Sequence, residues 1–201
     1  MRRRKSPYSA PDAQTRRAQA AGYPARSVFK LEEIDRRVRL LRSGQRVLDL
    51  GAAPGSWSLY ASERVGPSGR VVAVDLQPIA QRFAPNVSVL CGDALTLEGG
   101  QLEALAPYDV VLSDMAPSTS GSKVADQARS HELFMRALAI AARVGRPSSA
   151  FVGKLFMGPD FAVVRQALAD QYGKSTVVRP RGTRQHSSEV FLVGQGLGRA
   201  R

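Results

Sequence analysis

What this chain has little of narrows its class before any motif is read. One cysteine, Cys91, stands among 201 residues. No internal disulfide framework is therefore available, and a reducing compartment is expected. No apolar run approaches the roughly 18 residues that a membrane-spanning helix requires. The opening segment, MRRRKSPYSAPDAQ, is basic but lacks the apolar stretch of a secretory signal. An Arg-rich, acid-poor opening also suits an organellar transit peptide, although the cytoplasm is the expectation. No internal repeat occurs, and no low-complexity segment beyond the arginine-rich start.

Acidic residues are scarce at both ends. Residues 1–46 hold 13 Lys and Arg against 4 Asp and Glu, and residues 174–201 hold 6 against 1. The middle of the chain is slightly acidic, so the net charge of +12 resides in the terminal segments. Basic ends on a near-neutral body suit a polyanion such as nucleic acid, because Lys and Arg replace the counterions of phosphates. A membrane surface fits less well, since neither end carries a clean amphipathic apolar face.

Length allows one domain with a sizeable core. Residues 1–24 mix Arg, Ser, Pro, Gly and Ala and read as a basic tail, flexible until bound. Residues 25–201 form the expected domain. From Ser27, SVFKLEEIDRRVRLL places Val28, Leu31, Ile34 or Asp35, Val38 and Leu41 at helical spacing, with Gly44 as its end. Strands are expected at 46–50, 70–76, 87–93, 108–114 and 148–156. Helices are expected at 56–65, 131–144 and 161–172. STVVRP and EVFLVG supply two final strands with no helix between them. Strands rich in Val, Leu and Ala that alternate with helices indicate a mostly parallel sheet covered on both faces. The closing pair implies one antiparallel strand. The expected fold is α/β and Rossmann-like, with seven strands.

Open α/β sheets bind ligands beyond the carboxyl ends of their strands. Those ends here carry Asp49-Leu50-Gly51-Ala52-Ala53-Pro54-Gly55, then Asp75, Asp93 and Asp114. Gly51 and Gly55 let the backbone turn sharply and approach a ligand. A helix starting near Ser56 aims free N–H groups at the same point. Asp75 is placed to accept from both hydroxyls of a ribose, and Asp93 from an adenine amino group. A nucleoside that carries an amino acid would be held at all its polar ends. A dinucleotide site would want G-x-G-x-x-G, whereas this turn reads G-A-A-P-G, with proline where backbone should face pyrophosphate. The bland alternative is an α/β fold with incidental acids at its strand ends.

Four further ionisable residues lie at element edges that this topology brings together: Lys30, Asp114, Lys154 and Glu189. Lys154 sits inside the apolar run SSAFVGKLF, where a charge is costly unless paired. Each has an ordinary reading as well. Lys30 could be a solvated helix charge, Glu189 a strand-edge acid, Asp114 a helix cap, and Lys154 a side chain that snorkels out of the sheet.

Five segments in order resemble the FtsJ-like (RrmJ-type) ribosomal RNA large-subunit 2′-O-ribose methyltransferase family: RSVFKLEEID, DLGAAPGSW, VVLSDMAPSTSG, FVGKLF and SSEVF. The resemblance runs from about Arg26 to Val193. It implies a class I methyltransferase fold and the family's Lys-Asp-Lys-Glu tetrad on Lys30, Asp114, Lys154 and Glu189. It also implies S-adenosylmethionine as cofactor, contacted at Gly55, Trp57, Asp75, Asp93 and Asp114, to which the glycine turn adds Gly51. No metal is expected, and the chain is expected to be a monomer. By this resemblance Lys154 either takes the 2′-hydroxyl proton or acts as a cation that steers the oxygen lone pair. Asp114 would orient it, while Lys30 and Glu189 hold the ribose.

Amino-methyltransferases that act on adenine use a [DN]-P-P-[YF] turn where this chain has Ser113-Asp114-Met115-Ala116-Pro117, so the expected target is an oxygen. A short chain resembles the family's ribosomal RNA members, which implies a uridine of the large subunit as substrate. A tRNA substrate and a non-catalytic RNA-binding or ribosome assembly factor are the alternatives. Three departures from the family pattern stand out. Phe191 replaces a frequent tyrosine, Ser56 a common glycine, and Val28 a frequent aromatic residue.

Overall fold

The computed structural model of the chain describes residues 12–96, 100–118, 120–183 and 187–198. Its inner strands follow from runs that are largely apolar on both faces. β1 (Arg46–Leu50), β2 (Arg70–Asp75), β3 (Val87–Cys91), β4 (Tyr108–Ser113) and β5 (Gly145–Phe156) pair in parallel. β6 (Tyr172–Val178) and β7 (Glu189–Leu197) complete a seven-stranded sheet of order β3-β2-β1-β4-β5-β7-β6. β7 is antiparallel to both β5 and β6 and is inserted between them. The expected α/β architecture with one antiparallel strand is therefore present.

Period-two side-chain alternation assigns each strand residue to one of two cores. Leu48, Leu50, Val111, Phe151 and Leu192 pack under α5 (Lys123–Val144) and α6 (Phe161–Gln171). Val47, Val110, Leu112, Val152, Phe191 and Val193 pack under α2 (Val28–Val38) and α3 (Ser56–Val65). The same parity carries Asp114, Lys154 and Glu189 toward the α2 side. This is how residues far apart in sequence reach Lys30.

Several boundaries differ from the sequence reading. α2 ends at Val38, six residues before Gly44 could act, because Arg39 adopts a left-handed conformation (φ 53°) and donates its N–H to Asp35 O at 2.7 Å. The buried Asp35 carboxylate makes this ending possible. It accepts from Leu41 N at 2.8 Å, Tyr60 Oη at 2.9 Å and Arg64 Nε at 3.1 Å. The chain then turns early enough to bury Leu40 and Leu41. α5 starts at Lys123, eight residues before the expected His131, with Ser122 at its N-cap. A short helix α4 (Gln101–Ala104) was not legible in the sequence.

Residues 12–24, read from sequence as part of a flexible tail, contain the helix α1 (Ala13–Ala20). Asp12 caps it by accepting from Thr15 N at 2.8 Å, and also pairs with Arg26 at 2.6 Å. Ala18 is fully buried. Arg2, Arg3, Arg4 and the rest of the first eleven residues lie outside the described residues.

Candidate active site

The sheet order reverses between β1 and β4, the switch point at which open α/β sheets accept ligands. A cleft of about 420 Å³ lies there, lined by Gly51, Asp75, Asp93, Asp114, Met115 and Leu133 among others. Ligand sites commonly span roughly 300–1,000 Å³, so its size fits a nucleoside that carries an amino acid. Gly51 has φ 75°, and a Cβ there would lie 2.7 Å from Met115 Cγ and 3.0 Å from Met115 N. Only glycine lets the β1 and β4 exits approach this closely.

Asp75 closes β2 and accepts from Ala53 N and Gln77 N, each at 2.8 Å. Its two oxygens face different partners, so each keeps a lone pair for a diol. Asp93 lies two residues beyond β3 and accepts from Leu95 N at 2.9 Å. The donor set fits the expected cofactor: acceptors for hydroxyls and an amine, with the amino-terminal end of α3 nearby for a carboxylate.

Two residues expected at the cofactor do not line this cleft. Gly55, at φ 107°, is covered by the segment after β2, where an added Cβ would meet Phe83 at 2.9 Å and Gln81 at 3.0 Å. Trp57 turns away, into the core beneath α2. Its Nε1 donates to Ser27 O at 2.9 Å, and its ring packs at 5.6 Å on Phe191. The neighbouring Ser56 makes a second clasp on the same segment. Its hydroxyl accepts from Ala25 N at 2.8 Å and donates to Ala25 O at 3.1 Å. Residues 25–27 are thus pinned to α3 immediately before the helix that carries Lys30. A glycine at position 56 could not do this.

The four ionisable residues singled out from sequence meet as two ion pairs. Lys154 Nζ donates to Asp114 Oδ1 at 2.8 Å and also to the Asp114 carbonyl oxygen. Lys30 Nζ lies 2.6 Å from Glu189 Oε1, a charge contact whose direction does not satisfy that oxygen as a hydrogen bond. Lys154 and Glu189 are each only 8% exposed. Sheet register explains the placement: Lys154 pairs with Phe191, Phe156 with Glu189, and Ser113 with Gly153. Lys30 Nζ sits 5.8 Å from the centre of the Phe191 ring, which gives this cation an apolar and π-rich floor.

One acid beside the cleft stands in the strand-end run but has no role assigned from sequence. Asp49 is wholly buried in β1. Its Oδ2 accepts from Ser58 Oγ at 2.6 Å, while Oδ1 has no partner among the described residues. Burial pushes its carboxyl up to about 7, opposed by the Ser58 hydrogen bond and reinforced by the charges of Asp114 and Asp75. Alternation along RVLDL shows which face Asp49 takes, but nothing in that run announces the Ser58 partner.

Comparison with known proteins identifies the family. The family model for FtsJ-like methyltransferases matches residues 23–197. A Sorangium cellulosum protein named Ribosomal RNA large subunit methyltransferase E is 63% identical over 190 residues, covering 94% of this chain and 90% of that protein. A protein of the same name from Nitratidesulfovibrio vulgaris is 48% identical and covers 90% and 91%. Among solved structures, one titled as a ribosomal RNA methyltransferase from Plasmodium falciparum superposes with a TM-score of 0.75 at 21% identity. That match spans 87% of this chain and 98% of that one, and it speaks to the fold alone. With one family model spanning the sheet, the cleft and all four paired ionisable residues, the chain belongs to the FtsJ-like methyltransferase family.

Proposed function

We propose that this protein transfers a methyl group from S-adenosylmethionine to a ribose 2′-hydroxyl of large-subunit ribosomal RNA, with a uridine as the target nucleotide. The observation that carries this reading is the Lys154–Asp114 pair at the rim of the cleft, beside the Lys30–Glu189 pair. The names of the similar proteins support the choice of ribosomal RNA.

S-adenosylmethionine supplies an already activated sulfonium methyl, so the residues of the chain have to align an oxygen and manage one proton. Alignment of bound reactants can remove a large part of a barrier, by about 7–11 kcal/mol in the best cases. Two of the N–H donors of Lys154 are directed at Asp114, which leaves one for the ribose oxygen. Asp114 holds the lysine and so sets the direction of that last donor. A charged Lys154 donating to the 2′-oxygen turns a lone pair toward the methyl group, whereas a neutral one would accept the hydroxyl proton. Lys30 and Glu189 offer a donor and an acceptor to the ribose. Asp75 accepts from the cofactor ribose hydroxyls, and Asp93 from the adenine amine.

Purified protein, tritiated S-adenosylmethionine and large ribosomal subunits from an unmethylated strain provide the test. Label at one ribose, absent with tRNA, is the expected result. Binding of subunits without transfer would make the protein an assembly factor and sink the enzymatic reading.

A further inference from the structure

Beside the tetrad lies a groove of about 490 Å³ that the chemistry above does not use. α2 forms its floor, with Phe29, Arg36 and Arg37 along one face. Gln14 and Arg17 of α1 form one wall, and Arg181 and Gly182 of the β6–β7 connection form the other. These walls stand close together, since a Cβ on Gly182 would lie 3.4 Å from Gln14 Oε1. The second wall is tied to the floor, because Arg181 N donates to Glu33 Oε2 at 2.8 Å.

The charges in the groove divide into two sets. Arg36 and Arg37 are balanced by Glu32 and Glu33 one helical turn away. The guanidinia of Arg17 and Arg181 have no carboxylate partner among the described residues, and both residues are exposed. Arg17 lies 4.7 Å over the centre of the Phe29 ring. Stacking holds a guanidinium in place while its N–H edge stays available, a geometry suited to bidentate contact with a phosphate. Position matters as much as charge. Phe29 precedes Lys30, and the connection that carries Arg181 ends at Glu189. The groove therefore adjoins Lys30 along α2, and through it the Lys30–Glu189 pair.

We propose that this groove seats the RNA strand next to the target ribose, with Arg17 and Arg181 each neutralising one phosphate. The proposal rests on the reading of the chain as an RNA methyltransferase. It makes α1 a substrate-binding element that converges with the β6–β7 connection on the flank of one nucleotide.

The test compares the full chain with the Arg17→Gln/Arg181→Gln double variant. Affinity for a fluorescein-labelled single-stranded RNA 20-mer is measured across a salt series. Two lost phosphate contacts should flatten the log–log salt slope by about 1.4 and raise KM for large subunits about tenfold. The turnover number and the calorimetric affinity for S-adenosylmethionine should stay within about twofold, since neither arginine lines the cofactor cleft. Arg143→Gln/Arg146→Gln removes the same charge at the opposite ends of the strands, where those residues pair with Glu103 and Asp109. That control should leave slope and KM unchanged. An unaltered slope and KM in the groove variant would overturn the proposal, as would an equal effect in the control, which would trace binding to overall charge. Wild-type protein that binds RNA but transfers no methyl would fail the enzymatic reading while leaving the groove standing.

Discussion

Replacing Lys154 is the sharpest test of the chemistry. The side chain is 8% exposed and its ammonium contacts two oxygens of Asp114. Lys154→Ala removes that ammonium and leaves the Asp114 carboxylate without its cation. Breaking a fully buried pair costs about 3–5 kcal/mol. The Asp114 side chain is 20% exposed, so water can replace part of what is lost, and a cost of about 1–3 kcal/mol is expected. Domains of this kind hold about 5–15 kcal/mol in reserve, so the variant should fold. Catalysis should suffer more. A side chain that orients or deprotonates a reacting hydroxyl contributes about 10²–10⁴ in rate, or about 3–5 kcal/mol.

The assay is methyl transfer to large subunits under saturating cofactor, with calorimetry for S-adenosylmethionine and circular dichroism for folding. The expected outcome is a kcat lowered by about 10²–10⁴, with cofactor affinity within about threefold of wild type. Lys154→Met separates the lost charge from the lost volume. Lys154→Arg separates the two roles, because a guanidinium stays charged and cannot act as a base. Measurable turnover in the arginine variant supports the orienting cation. A folded Lys154→Ala protein that turns over within about threefold of wild type would refute the assignment.

The remaining predictions address the supports of the site. Asp49→Asn should alter how stability depends on pH: its carboxyl titrates near 3.8 when unfolded and near 7 when folded, so the folded chain retains a proton that the unfolded chain releases. The stability contributed by that proton is complete below about 4 and is lost as pH rises to about 7, at most about 4 kcal/mol. The asparagine variant should lack this decline when melting temperature is measured from pH 4 to 8, and identical profiles would count against a protonated Asp49. Ser56→Gly should remove the Ala25 clasp, lower stability by about 1–2 kcal/mol and reduce kcat severalfold. If the clasp acts by positioning Lys30, its effect on kcat should vanish in a Lys30→Ala background, and strictly additive losses would refute that link. Gly51→Ala should destabilise the chain by about 1–3 kcal/mol and weaken S-adenosylmethionine binding about tenfold or more, because its Cβ would collide with Met115. Unchanged calorimetric affinity would show that the β1–β4 approach is not needed for the cofactor.

Much of the architecture was legible in the amino-acid order. Runs such as RVLDL and RVVAVD are apolar on both faces and bounded by turns, so their identity as buried parallel strands and the position of their ends follow from local chemistry. The glycine turn after β1, the acids beyond the strand ends and a lysine inside an apolar strand are visible for the same reason. Each breaks a local rule, which is the mark of a candidate ligand site.

Tertiary structure decided everything that depends on a partner distant in sequence. Asp35 ends α2 because it can reach Leu41, Tyr60 and Arg64, none of which a periodicity argument marks as its partner. Trp57 reads as a cofactor residue from its motif, yet its indole is committed to Ser27 and Phe191. Ser56 reads as a small departure in a glycine turn, yet it is the clasp on Ala25, 31 residues away. The sequence by itself named Lys30, Asp114, Lys154 and Glu189. Only the sheet register and the face of α2 decided that they meet as Lys154 with Asp114 and Lys30 with Glu189, because pairing depends on which strand edges adjoin and not on any order along the chain.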